Sequence, residues 1–260
     1  MLNVAKKSPD ENKERQHDEK VDANEQPFLS HLIELRQRIL RSLLFLVVVF
    51  VPVMYFVTDI FDFVSDPLRA QLPGEMIATQ VASPFLTPFK LAVYTTIFIT
   101  IPFLLHQAWG FVSPGLYLRE KRFAVPLLVS STVLFYLGMA FAYYAVFPLV
   151  FQFFASVTPT DVAMMTDINH YLDFVLKLFF AFGLAFEIPV ATVLLALTGL
   201  TSSRSMAKKR PYVIVGCFVI GMLITPPDVI SQILLAVPAW LLFEIGILLA
   251  RMVEKPDIND

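Results

Sequence analysis

Residues 171–197 read YLDFVLKLFFAFGLAFEIPVATVLLAL, a run whose only charged members are Asp173, Lys177 and Glu187. A hydrocarbon core of about 30 Å is crossed by roughly 20 helical residues. The run is long enough, and it does not alternate as a barrel strand would. Lipid cannot satisfy open backbone groups, so helix is the form left to it. Working outward, further apolar runs lie near 39–58, 90–112, 124–148, 211–226 and 229–250. The chain has 260 residues, 57% hydrophobic and 16% charged, and a soluble domain of that size could not hide so much apolar surface.

Charge orders these six runs. Of 20 Lys and Arg residues, all but Arg69, Lys90 and Lys177 fall near the N-terminus, in alternate connections, or near the C-terminus. Positive charge marks the cytoplasmic side. The expected fold is therefore an all-α integral membrane protein of six transmembrane helices, with both termini cytoplasmic, in a bacterial plasma (inner) membrane. Residues 1–27 are polar and mixed in charge and are expected to be a disordered cytoplasmic tail. They match neither a cleavable signal peptide nor an Arg-rich transit peptide, which makes the first span an uncleaved insertion signal. Pro27 marks a boundary and Ser30 a candidate helix cap. Residues 28–252 form the membrane domain, led by an interfacial stripe of Phe28, Leu32, Leu35 and Ile39, and 253–260 a short cytoplasmic tail. The proline-rich stretch 59–89 and residues 149–170 read as external loops.

Pro52, Pro102, Pro189 and Pro238 lie inside four spans, where each removes a donor and clashes with the preceding turn. They are either tolerated, as proline often is in membrane helices, or they bend a set of helices into a concave wall. The fifth span is short, roughly 22 Å from Pro211 to Thr225 at 1.5 Å per residue. Lipid must thin beside it or partners must fill in. Cys217 is the one cysteine and reads as a packing residue. His17, His31, His106 and His170 are scattered, and the chain contains no HExxH, CxxC, nucleotide-binding glycine loop or GxSxG elbow. No catalytic residue, metal, cofactor or nucleic-acid partner is expected.

Several acids stand out. Glu34 lies four residues before Arg38 in HLIELRQR. Its plainer reading is a helical ion pair of about 0.3–0.5 kcal/mol. Glu120 is the lone acid in the basic connection Leu118-Arg119-Glu120-Lys121-Arg122, where local charge balance is the plainer reading. Together, two carboxylates on one membrane face could each accept a guanidinium bidentately, as a lysine cannot match. A desolvated interfacial pair couples by about 1.5–7 kcal/mol, so two could supply much of a micromolar affinity, about −8 kcal/mol. Arg36, Arg38, Lys121 and Arg122 oppose this unless splayed or paired elsewhere. Glu187, two residues before Pro189, is either a polar spot on a cavity wall or one end of an interhelical hydrogen bond. Lys177 is expected to snorkel outward and Glu244 inward.

These blocks resemble the TatC family, the multispanning core subunits of twin-arginine protein translocases. The resemblance covers about 27–252 and rests on LSHLIELRQRI at 29–39, FVSPGLYLREKR at 111–122, and PLLVSSTVLFYLGMAFAYYAVFP at 126–148. FGLAFEIPV at 182–190 and KKRPY…GMLITPPDVISQ between 208 and 232 complete it. It implies a receptor for Arg-Arg signal peptides of folded preproteins, contacted by Glu34 and Glu120 with Arg36, Phe111 and Arg122 nearby. It implies further that Glu187 faces the concave side and that Pro67 and Asp228 are functional in external loops. Met222, Thr225 and Gln232 match a polar patch where single-span TatA/TatB-type subunits dock. Transport driven by the proton gradient, in a complex that oligomerises within membrane lipid, completes what the resemblance implies. The main rival is a proton-coupled small-solute transporter using Glu187, which the lack of internal repeats disfavours. An intramembrane enzyme is disfavoured by the missing nucleophile–base pairs.

Overall fold

The structure is a computed structural model that describes residues 9–71, 76–112, 124–159, 165–224 and 229–254. Its helices are α1 (Pro9–Tyr55), α2 (Val57–Gln71), α3 (Ser83–Val112), α4 (Ala124–Phe141), α5 (Phe147–Val157), α6 (Ile168–Phe186), α7 (Ile188–Leu197), α8 (Ser203–Lys208), α9 (Arg210–Ile224) and α10 (Val229–Val253). Five segments are long and apolar enough to span: Leu32–Tyr55, Ser83–Phe111, Val125–Val157, Ile168–Leu197 and Val229–Val253. With the short apolar α9 they make the six spans that the sequence implies. By contacts the chain divides into two units, Met1–Phe45 and Leu46–Asp260.

In the first unit α1 runs back to Pro9, so that Pro27 and Ser30 lie inside a helix and neither ends nor caps it. Glu, Lys, Arg and Gln are frequent before Pro27 and are good helix formers. Once a helix is nucleated, extending it is far easier than starting one.

The second unit is held by close helix pairs, chiefly α4 with α6, α7 with α10, and α9 with α10. Apolar side chains gain little by leaving lipid for one another, so tight approach and hydrogen bonds must hold such pairs. Gly138 on α4 lies directly against the Phe182 carbonyl of α6, and a Cβ on Gly183 would stand 2.6 Å from the Phe135 ring. Gly246 on α10 likewise meets Thr192 and Pro189 of α7. Around the first crossing Phe135, Phe147, Phe179 and Phe182 are buried, with Phe147 and Phe179 edge to face at 5.0 Å.

Prolines act unevenly. α3 and α10 stay helical through Pro102 and Pro238. At Pro189 the span does break: α6 ends at Phe186, α7 starts at Ile188, and Glu187 N–H bonds back only three residues, to Leu184 O at 3.0 Å. The third span contains a π-helical turn, Ala142–Val146, closed by Phe147 N–H on Ala142 O. Pro148 follows immediately. The widened turn accommodates a residue that lacks the N–H and crowds the carbonyl four back.

The expected external loop 59–89 is largely helical instead. α2 carries Pro67 within it, and α3 already begins at Ser83. Val57, Val64 and Leu68 form a buried stripe at helical spacing while Asp59, Asp62 and Asp66 stay exposed. Burying aliphatic side chains contributes about 1.5–3 kcal/mol each, which outweighs the roughly 3 kcal/mol cost of one interior proline. The other loop, expected over 149–170, is shortened by α5, which continues to Val157.

One carboxylate joins the two connections. Ile77 N–H bonds Thr166 O at 3.0 Å and Ile168 N–H bonds Ile77 O at 2.9 Å. Asp167 Oδ2 accepts from the Thr79 hydroxyl at 2.5 Å and the Thr79 N–H at 2.9 Å, while Oδ1 caps α6 through Asn169 N–H and His170 N–H. The Thr79 hydroxyl, then these backbone donors, hold the Asp167 carboxyl well below the usual carboxylate range. A depressed native value means the clasp stabilises fully above the unfolded value near 3.8 and weakens as pH falls below it. Asp167→Ala should therefore lower the thermal midpoint at pH 7, and that difference should shrink progressively in melts taken below pH 4. A gap that stays constant down to pH 2 contradicts the assignment.

Candidate functional site

On α1, Arg38 Nε and Nη2 both donate to Glu34 Oε1, at 3.0 and 2.6 Å. This is the i,i+4 pair expected from spacing. Glu34 is 34% and Arg38 21% exposed, so the pair is worth only a few tenths of a kcal/mol, about 0.3–0.5. The carboxylate thus already receives a guanidinium from its own helix, and Arg36 beside it is exposed. Phe111 sits half-buried near the end of α3. Glu120 and Arg122 lie outside the described residues, as do Thr225 and Asp228.

Inside the membrane, Glu187 occupies the break between α6 and α7. Its Oε2 accepts the Ser131 hydroxyl of α4, while Oε1 is buried and has no hydrogen-bond partner among the described residues. The two residues are 56 apart in sequence. Periodicity could not pair them, although the Ser130-Ser131 step in an apolar span was a visible signal. Serine accepts the role because its short hydroxyl reaches a neighbouring backbone or carboxylate without opening a gap between helices. The acid is left desolvated on one side, a cost that the single serine hydroxyl offsets only in part.

Two further pairs escaped sequence reading. Glu244 receives Arg210 bidentately, Nε to Oε1 and Nη2 to Oε2, both at 2.7 Å, which ties the start of α9 to α10. Lys90 Nζ joins α3 to α6 through Asp173 Oδ1 at 2.6 Å and Asn169 Oδ1 at 3.0 Å. Lys177, by contrast, is exposed on α6.

The α9–α10 surface gathers two of the expected docking residues. Gln232 Nε2 crosses from α10 to the Phe218 carbonyl on α9 at 2.8 Å, and Met222 lies one turn further along α9, 57% exposed. Val219, Ile220 and Leu223 beside it are exposed too. Pro67 sits half-buried within α2.

Comparison with known proteins follows the same lines. The chain is 59% identical over 239 residues to the Sec-independent protein translocase protein TatC of Azotobacter chroococcum, covering 90% of this chain and 94% of that one. With the TatC of Escherichia coli K12 it shares 54% identity over 228 residues, covering 87% and 88%. Its structure is similar to a crystal structure of a twin-arginine translocase receptor, TatC, with a TM-score of 0.78 at 36% identity, over 86% of this chain and 99% of that one. The family model for Sec-independent protein translocase protein (TatC) matches residues 30–238. A helical, multi-pass membrane protein carrying these motifs in order, the chain belongs to the TatC family of protein translocase components.

Proposed function

We propose that this chain is the signal-peptide receptor of a twin-arginine translocase in a bacterial inner membrane, with both termini cytoplasmic. Two adjacent guanidiniums of an incoming leader pair with Glu34 and Glu120, near Arg36, Phe111 and Arg122. Single-span TatA/TatB-type subunits dock at Met222, Thr225 and Gln232. The apolar part of the leader passes Glu187, Pro67 and Asp228 act at the outer face, and the proton gradient drives export of the folded cargo.

One observation carries this reading: Glu34 already holds a guanidinium, that of Arg38, through two N–H donors. A carboxylate held in that way suits a second arginine that takes the place of the first, and the exchange costs little because the resident pair is weak. A leader with both arginines replaced by lysine keeps its charge but loses the planar donors. Its affinity for the full chain in membranes should fall about tenfold, since the two mismatched pairs together forfeit on the order of 1.4 kcal/mol, roughly half of the smallest coupling that two such pairs supply. Equal affinity for the two leaders in a titration would remove the bidentate argument. The solute-transporter reading of Glu187 loses ground to membership in a protein translocase family.

A further inference from the structure

Between α2, α3, α4, the π-helical turn and α6 lies a cavity of about 350 Å³. We propose that it is a specific site for one acyl chain of a membrane phospholipid. Its walls are almost wholly hydrocarbon and aromatic ring, with Thr95 the one aliphatic hydroxyl residue among them. Two of its three tyrosines turn their hydroxyls into backbone: Tyr136 OH donates to Phe98 O at 3.0 Å and Tyr143 OH to Phe63 O at 2.8 Å. Their hydroxyls are thereby taken out of reach of an occupant. The π-helical turn sets this up, because Tyr143 within it stacks on Phe63 with ring centres 4.6 Å apart.

The cavity is open on one side. Its rim residues Phe63, Ile99 and Tyr144 are 53%, 51% and 73% exposed, and Ile99 and Tyr144 lie in membrane-spanning segments. Depth agrees. The Lys90–Asp173 ion pair joins α3 to α6 and marks a level where charge is tolerated. Lining residues follow on α3 from Leu91 to Ile99, roughly 1.5–13 Å deeper at 1.5 Å per residue, and on α6 at Leu176 and Phe179, roughly 4.5–9 Å deeper. That interval matches the hydrocarbon of one leaflet, about 15 Å, with α2 (Ile60, Phe63, Val64) closing the cavity at its outer, interfacial end.

Size selects the occupant. A helix is about 10–12 Å across with its side chains, so this volume would hold less than one turn. A dry cavity of about 150 Å³ suffices for benzene, and this one is more than twice as large. Left empty, its lining would forfeit dispersion contacts on one side. A flexible alkyl chain from the adjacent leaflet fills it without ordering a partner protein.

The test uses the full chain in vesicles of phosphatidylethanolamine and phosphatidylglycerol, doped with a phospholipid bearing a mid-chain diazirine. After photolysis, adducts at Met139, Ala140 and Tyr143 should exceed those at the exposed apolar positions Val129 and Leu248 by fivefold or more. Ala140→Phe, which fills the cavity, and Ile99→Trp, which obstructs its rim, should each abolish that excess while leaving the labelling of Val129 and Leu248 unchanged. Even labelling over all apolar faces overturns the proposal. So does loss of the excess when single-span partner subunits are co-reconstituted, since a partner side chain would then be the occupant.

Discussion

Replacing Glu34 and Glu120 together with alanine is expected to bring export of an Arg-Arg leader fused to a folded reporter below detection, and to weaken leader capture by on the order of a hundredfold. The magnitude follows from coupling energies. Close interfacial charge pairs contribute about 1.5–7 kcal/mol each, and tenfold in affinity is about 1.4 kcal/mol. Two pairs at the lower bound give the hundredfold; each single variant should lose about tenfold. Arg38 supplies an internal control. It is already bound to Glu34, so it competes with the leader rather than helping it. Arg38→Gln should leave capture unchanged or tighten it slightly. Crosslinking yields in inverted membrane vesicles measure both effects. If the double variant captured leaders as the parent does, the receptor site would have to lie elsewhere. If Arg38→Gln abolished capture, the arginine and not the carboxylate would be the contact.

The largest expected effect on folding comes from Gly138→Ala. A Cβ there would collide with the Phe182 carbonyl, which belongs to the backbone of α6 and cannot rotate away. Overpacking usually costs about 1–3 kcal/mol, and a rigid neighbour places this site at the upper end. For a domain of this size about 3 kcal/mol lowers the melting temperature by roughly 6–12 °C. Gly216→Ala is the matched comparison: nothing stands within 4 Å of its added Cβ. Alanine is the better helix former by about 1 kcal/mol, so that variant should melt at the parent temperature or slightly above it. Identical behaviour of the two variants in detergent melts would show that α4 and α6 are not held by close approach.

Local features of the chain were readable in advance. The six spans, the weakness at Glu187-Ile188-Pro189 and the Glu34–Arg38 pair all follow from spacings of a few residues. What stayed hidden depends on distance along the chain or on competition between rules. Ser131 with Glu187, Arg210 with Glu244, and Lys90 with Asp173 are 56, 34 and 83 residues apart, and nothing in periodicity joins them. α2 was masked by its own proline, though Val57, Val64 and Leu68 already lay at helical spacing. The π-helical turn had a signal in Pro148, but that residue sat near the expected end of a span, where a proline is ordinary. Glu120 was legible as the lone acid in a basic connection, Arg119-Glu120-Lys121-Arg122.

Three contacts follow one another from the external ends of α3 and α6 toward their middles. Asp167 with Thr79 comes first, then Lys90 with Asp173, then Phe98 against Phe179 midway at 6.1 Å. Contacts strung along two rods in this manner share a load: a strain that loosens the Asp167 clasp passes to the ion pair beneath it before it reaches the rings.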